Sequence, residues 1–267
     1  MRVRPGRLRP VRALARWAPV LPVLALCACL RWFPAPVPMR SVQWNHAATS
    51  PRVRCLLVFL PGAADRATDF AEHGFVAEVK KRGLPVDVVA ADATIGYYGR
   101  GTFAERLASD VVGPARARGY EHVWLIGVSM GGLGAIWYSR VHTADVTGVL
   151  VLAPYLGEEE LIDEIHEQGG LARWRGPPRA DALNEDNYQR EIWRWLQAVT
   201  RGRERGPTIY LGYGRADDLA RADGLLAVAL PRAHTYVIDG GHDWRTWKIL
   251  LGKFLHSAEL ARRCGPE

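Results

Sequence analysis

The pentad Gly127-Val128-Ser129-Met130-Gly131 is where residue type and spacing speak most directly of chemistry. Of six serines, only Ser129 has a glycine two positions away on each side. The pentad follows the apolar run VWLIG and opens GLGAIWYS, which reads as a helix. A serine on so tight a strand-to-helix turn is held in a strained backbone, and its neighbours must lack side chains for the turn to close. Chance placement gives about 0.06 such patterns per chain of this composition.

A serine hydroxyl becomes a useful nucleophile only when a base takes its proton. Three of the eight histidines lie late in the chain. His234 opens a strand-like run and His256 falls in a C-terminal helical pattern, so both read as structural. His242, in Asp239-Gly-Gly-His242-Asp243-Trp244, sits on a glycine-rich loop ahead of a helix, where a base could reach over strand ends. A carboxylate must then orient the imidazole and stabilise its charged form. Gly212-Tyr-Gly-Arg-Ala-Asp217-Asp218 offers two. Asp217 falls within the turn after a strand, whereas Asp218 reads as the cap of the following helix. The developing oxyanion needs donors: the Met130 N–H, which follows the nucleophile, and one from Leu60-Pro61-Gly62-Ala63-Ala64-Asp65, with Ala63 preferred and Ala64 next.

These residues must be carried by regular elements. Val53–Leu60, Val86–Ala90, His122–Gly127, Val146–Leu152, Thr208–Leu211 and His234–Ile238 are short, β-branched and apolar. Runs apolar on both faces suit a parallel sheet covered by helices on each side. Helical patterns fall at about 68–82, 102–118, 131–141, 217–229 and 244–260. This alternation predicts an α/β fold with a doubly wound, mostly parallel sheet. Residues 156–206 hold two helical patterns and no strand, far more chain than an ordinary crossover, and read as a helical cap insertion within a 41–267 domain.

With G-V-S-M-G, the LPG loop, G-R-A-D and G-G-H-D-W on the page, residues 52–260 resemble the α/β-hydrolase superfamily. Gly-Gly-His-Asp-Trp followed by Thr246-Trp247 is similar to the bacterial esterase branch that includes esterase D-like enzymes. The order Ser129, Asp217, His242 is the one that topology implies. Two departures stand out. The oxyanion loop opens Leu-Pro-Gly rather than His-Gly, and only about 41–49 is left for the first antiparallel strands. The resemblance implies a serine hydrolase acting on a small-molecule or lipid ester or thioester through an acyl-enzyme. The alternatives are an acyltransferase on the same triad and a non-catalytic ligand-binding lipoprotein. No cofactor and no metal are expected, since dinucleotide, phosphate-loop and metal-ligand spacings are lacking.

The formal charge of +7 misleads until it is located. Residues 1–28 carry six arginines and no acid, and the rest balances 29 basic against 28 acidic residues. Nucleic acid is therefore not an expected partner. The Arg-rich start leads into an apolar run from Trp17 to Cys29, too short to span a bilayer comfortably. Leu26-Cys27-Ala28-Cys29 resembles a lipobox, with Cys29 the lipidation candidate and Cys27 a poorer one. Residues 1–40 are expected to be an export and membrane-anchoring segment, with Pro34, Pro36 and Pro38 as a stiff spacer; the alternative is a cytoplasmic chain with a basic tail. Oligomeric state is left open. Cys55, within an apolar run, reads as a buried reduced residue rather than half of a disulfide. Trp174, Trp193 and Trp195 read either as an acyl-binding wall or as the inside of a helix pair. Asp92 and Tyr97-Tyr98 follow a strand end and are candidates to shape the pocket, Asp92 equally to satisfy loop N–H groups. Glu158–Glu160 reads as a solvated helix start.

Overall fold

The apolar runs assemble into one seven-stranded sheet in the order β1-β3-β2-β4-β5-β6-β7. Its strands are β1 Ser41–Trp44, β2 Cys55–Leu60, β3 Val86–Ala91, β4 His122–Val128, β5 Gly148–Leu152, β6 Thr208–Gly214 and β7 Thr235–Ile238. The computed structural model describes residues 33–45, 54–178, 180 and 187–265. Cys29 and the apolar run before it lie outside them. Only β1 is antiparallel, pairing Ser41 with Ala91 at the edge. β2 and β3 are buried along their whole length, as helices on both faces require.

The helices are α1 Asp69–Glu72, α2 Phe75–Arg82, α3 Ile95–Gly99, α4 Phe103–Leu107, α5 Gly113–Ala117, α6 Met130–Val141, α7 Glu159–Glu167, α8 Tyr188–Thr200, α9 Ala220–Ala229, α10 Trp244–Phe254 and α11 Ala258–Cys264. A π turn at Ala108–Val112 joins α4 to α5. One core lies between the sheet and α4–α9, and the other between the sheet and α2, α10 and α11. The 156–206 segment supplies α7 and α8, whose buried Ile162, Ile165, Ile192 and Leu196 belong to the first core. That segment is continuous with the helical layer it joins. The helical pattern over 244–260 is broken after Phe254, where the Ser257 side chain caps α11.

Three expectations need correction. Cys55 is bonded to Cys264, with Cα atoms 5.6 Å apart. The first residue of β2 and the last turn of α11 meet across 209 residues of sequence, so no local spacing announces the pair. His256 lies between helices, not within one. The third concerns the spacer. From Phe33 onward the proline segment is packed on the domain: Thr94 Oγ1 donates to the Pro34 carbonyl (2.7 Å), Tyr97 Oη to that of Pro36 (2.5 Å), and the Met39 N–H to Asp110 (2.6 Å).

Candidate active site

Strands β2 to β6 end at one edge, and there the sequence-selected residues gather. Ser129 joins β4 to α6 with φ 50°, ψ −115°, a region that side-chain-bearing residues rarely occupy. The flanking glycines are obligatory. A Cβ on Gly127 would run into the Gly131 carbonyl, and one on Gly131 into the Leu60 carbonyl. The strained turn is braced from β5: Ser129 N–H donates to Leu152 (2.9 Å) and Tyr155 N–H to Ser129 (3.1 Å).

His242 Nε2 lies 3.0 Å from Ser129 Oγ. Its Nδ1 is 3.0 Å from both carboxylate oxygens of Asp217. The Asp217 side chain is wholly buried, while that of His242 is partly exposed. With Nδ1–H donated to the carboxylate, Nε2 is left as an acceptor for the serine proton. The Leu219 N–H also donates to Asp217 Oδ1 (2.9 Å), fixing the carboxylate within its turn. Backbone bonds from Arg215 to Ile238 and from Ala216 to Gly240, both 2.9 Å, tie the acid loop to the histidine loop. Asp218, expected to cap the next helix, is exposed, and α9 starts without a side-chain cap.

Met130 is the first residue of α6, where a backbone N–H has no intrahelical partner. Among the described residues neither its N–H nor that of Ala63 has a hydrogen-bond acceptor. Ala63 and Ala64 are exposed on the loop after β2, and Pro61 abuts the first turn of α6. The arrangement offers a nucleophile, a base, an orienting acid and two free donors on one strand edge.

No family model matches the sequence, and no curated protein matches it. Solved structures do. A ferulic acid esterase is similar at 19% identity, covering 81% of this chain and 96% of that one, with a TM-score of 0.55. A structure titled for carboxylesterases of the thaumarchaeon Nitrososphaera gargenis has 13% identity, coverage of 85% and 98%, and a TM-score of 0.52. Est1E from Butyrivibrio proteoclasticus, with ferulic acid bound, has 14% identity, coverage of 81% and 94%, and a TM-score of 0.51. The chain has the α/β-hydrolase fold.

Within the α/β-hydrolase fold several neighbours of the three residues escape sequence reading. Trp247 meets the His242 ring edge-on, centroids 4.9 Å apart. Trp244 stacks on His73 at 4.6 Å and donates Nε1–H to Asp65 Oδ1 (3.3 Å), pinning the histidine loop to the loop after β2. Burial raises the Asp65 carboxyl above its ordinary pKa, partly offset by that hydrogen bond. Asp243 caps α10 by accepting from the Thr246 N–H (2.9 Å), a bond that lowers its pKa. Asp223, on α9, is fully buried, and neither of its carboxyl oxygens has a hydrogen-bond partner. Burial first, and the Asp217 charge second, push its pKa well above the carboxylate range.

Other candidates have structural roles. Asp92 accepts from the Ala67 N–H (3.3 Å) and pairs with Arg66 at 3.6 Å, holding the loop after β2. Tyr97 is buried, and the half-buried Tyr98 is stacked on Phe103. Trp174, Trp193 and Trp195 are buried, and Trp193 Nε1 donates to the Leu156 carbonyl (2.7 Å), as expected for the inside of a helix pair. Among the described residues no cluster of His, Cys, Asp and Glu could hold a metal ion, and no helix is long and apolar enough to cross a membrane.

Proposed function

We propose that this protein is a serine hydrolase that cleaves a carboxylic ester or thioester through an acyl-enzyme. The observation carrying this reading is the unbroken chain Ser129 Oγ, His242 imidazole, Asp217 carboxylate, with 3.0 Å at each link. In the forward half, Oγ attacks the carbonyl carbon while its proton passes to His242 Nε2. The oxyanion is stabilised by the N–H groups of Ala63 and Met130, neither of which is engaged elsewhere among the described residues. Collapse expels the alcohol or thiol, which takes the proton from His242, leaving the acyl group on Ser129. Water then repeats the sequence in reverse order. Asp217, buried beside the imidazole, stabilises the imidazolium formed in each half.

The test is fluorophosphonate labelling with peptide mapping. One adduct is expected, on Ser129, and Ser129→Ala is expected to lose both the label and at least about 10³-fold in turnover of a p-nitrophenyl ester. A folded Ser129→Ala protein with near-normal turnover would overturn the assignment.

We further propose that the protein acts outside the cytoplasm, attached to a membrane through lipid at Cys29. The Cys55–Cys264 disulfide supports export, since such bonds persist in oxidising compartments. Cys29→Ser is expected to move the protein from the membrane fraction to soluble or uncleaved form with esterase activity intact. Wild-type protein that starts at Met1 by intact mass and stays cytosolic would refute it.

A further inference from the structure

The docked proline segment fixes where the N-terminus leaves the domain. Arg40 sits directly before β1, and its carbonyl accepts from the Asp92 N–H (2.7 Å). Asp92 follows β3, whose Ala90 is level with Phe59 and, through β2, with Ile126 of β4. Phe33 to Met39 therefore lie along the strand edge that holds Ser129, beside the oxyanion loop. The contact is tight. The carbonyls of Phe33 and Pro34 press on Gly96 of α3 so closely that a Cβ there could not fit. Arg100 donates to the Phe33 carbonyl (3.1 Å), and buried Met39 anchors the far end.

Only three residues separate Cys29 from Phe33, and four residue steps reach at most about 14 Å. A lipid on Cys29 would thus sit within that distance of the catalytic edge. The opposite edge, where α9 ends near Val228, lies a strand length further off, about 20 Å. The near edge also has the surface that a bilayer favours. Phe33 and Val37 are 49% and 70% exposed. A cleft of about 420 Å3 between strap and oxyanion loop is lined by Arg40, Arg66 and Asp92, the last paired with Arg66, which leaves a net positive charge there. Apolar tips beside cations suit the interface of a membrane with anionic headgroups.

We propose that the docked strap Phe33–Met39 holds the catalytic edge against the membrane, so that the ester substrate is presented by the lipid surface rather than the bulk solvent. This rests on the membrane-attachment reading above. The test compares the full-length protein with a variant carrying about 30 Gly/Ser residues inserted after Leu30, a tether with a root-mean-square length of about 30 Å. Both are bound to vesicles of phosphatidylethanolamine and phosphatidylglycerol, and amide exchange is read by mass spectrometry. Exchange over 61–68 and 93–101 is expected to be several-fold slower in the wild type, with 224–234 alike in the two proteins. Equal exchange at the catalytic edge, or wild-type slowing at 224–234, would overturn the proposal. A wild type that fails to float with the vesicles would overturn the attachment reading and this proposal with it. Exchange measures no turnover, so the outcome is independent of the proposed hydrolase chemistry.

Discussion

Replacing Asp217 by asparagine tests the proposed proton path at its least exposed point. The carboxylate serves two neighbours, the His242 Nδ1 at 3.0 Å and the Leu219 N–H, 2.9 Å from Oδ1. An asparagine has one carbonyl oxygen and one NH2 group. The Leu219 N–H keeps the oxygen at the Oδ1 position, so the NH2 takes the Oδ2 position, itself 3.0 Å from His242 Nδ1. Two donors cannot face each other, and the ring must then present its Nδ1 lone pair and carry its proton on Nε2. Nε2 faces Ser129 Oγ, so the base has no lone pair where the proton must go. The equivalent exchange in a serine protease triad lowers kcat about 10⁴-fold, or about 5.5 kcal/mol in barrier height. A comparable loss is expected here, with KM little changed and near-UV circular dichroism intact. Steady-state kinetics on p-nitrophenyl acetate, normalised by active-site titration, reads it out. Turnover within tenfold of wild type, or an equal loss in Asp218→Asn, would falsify the argument, because Asp218 is exposed.

Two further predictions concern stability. Closing a loop of 209 residues removes chain entropy worth about 5 kcal/mol, so Cys264→Ser, or wild type with reductant, should melt roughly 10–20 °C lower. A wild-type melt insensitive to reductant refutes this. Asp223 is kept protonated by burial, whereas the unfolded chain releases that proton above the ordinary carboxylate pKa of 3.8. Its contribution to stability is thus present at low pH and lost as pH rises toward the raised native value. Asp223→Asn should gain stability relative to wild type in urea melts from about pH 5 to about pH 8; parallel curves would refute that reading.

What the sequence disclosed follows from how local each signal is. Strands apolar on both faces declare a buried parallel sheet without reference to anything distant. The glycines around Ser129 declare a turn that tolerates no side chain, and the loops holding Asp217 and His242 follow strand ends. These three residues are the ones the fold brings within hydrogen-bond distance. The features that stayed hidden depend on distant partners. Prolines 34 to 38 have the composition of a spacer, and their partners Thr94 and Tyr97 lie 60 and 61 residues away. Asp223 reads as a routine polar residue on a helix until α9 turns it inward beside Asp217. Asp218 looked like a cap because a helix follows it, yet the backbone and side chain of Asp217 already take the first N–H groups of that turn.

The bridge between Cys55 and Cys264 also sets an order of events during biosynthesis. Cys55 opens the second strand and is made 209 residues before Cys264, which closes α11. A nascent chain can pair its early strands as they appear. It cannot close this bond until Cys264, which follows every strand of the sheet, has been made. Until then Cys55 is an unpaired thiol open to exchange with other thiols. Formation of the disulfide therefore marks a chain made through α11: a product stopping before the final turn of that helix would keep Ser129, Asp217 and His242 but never be stapled.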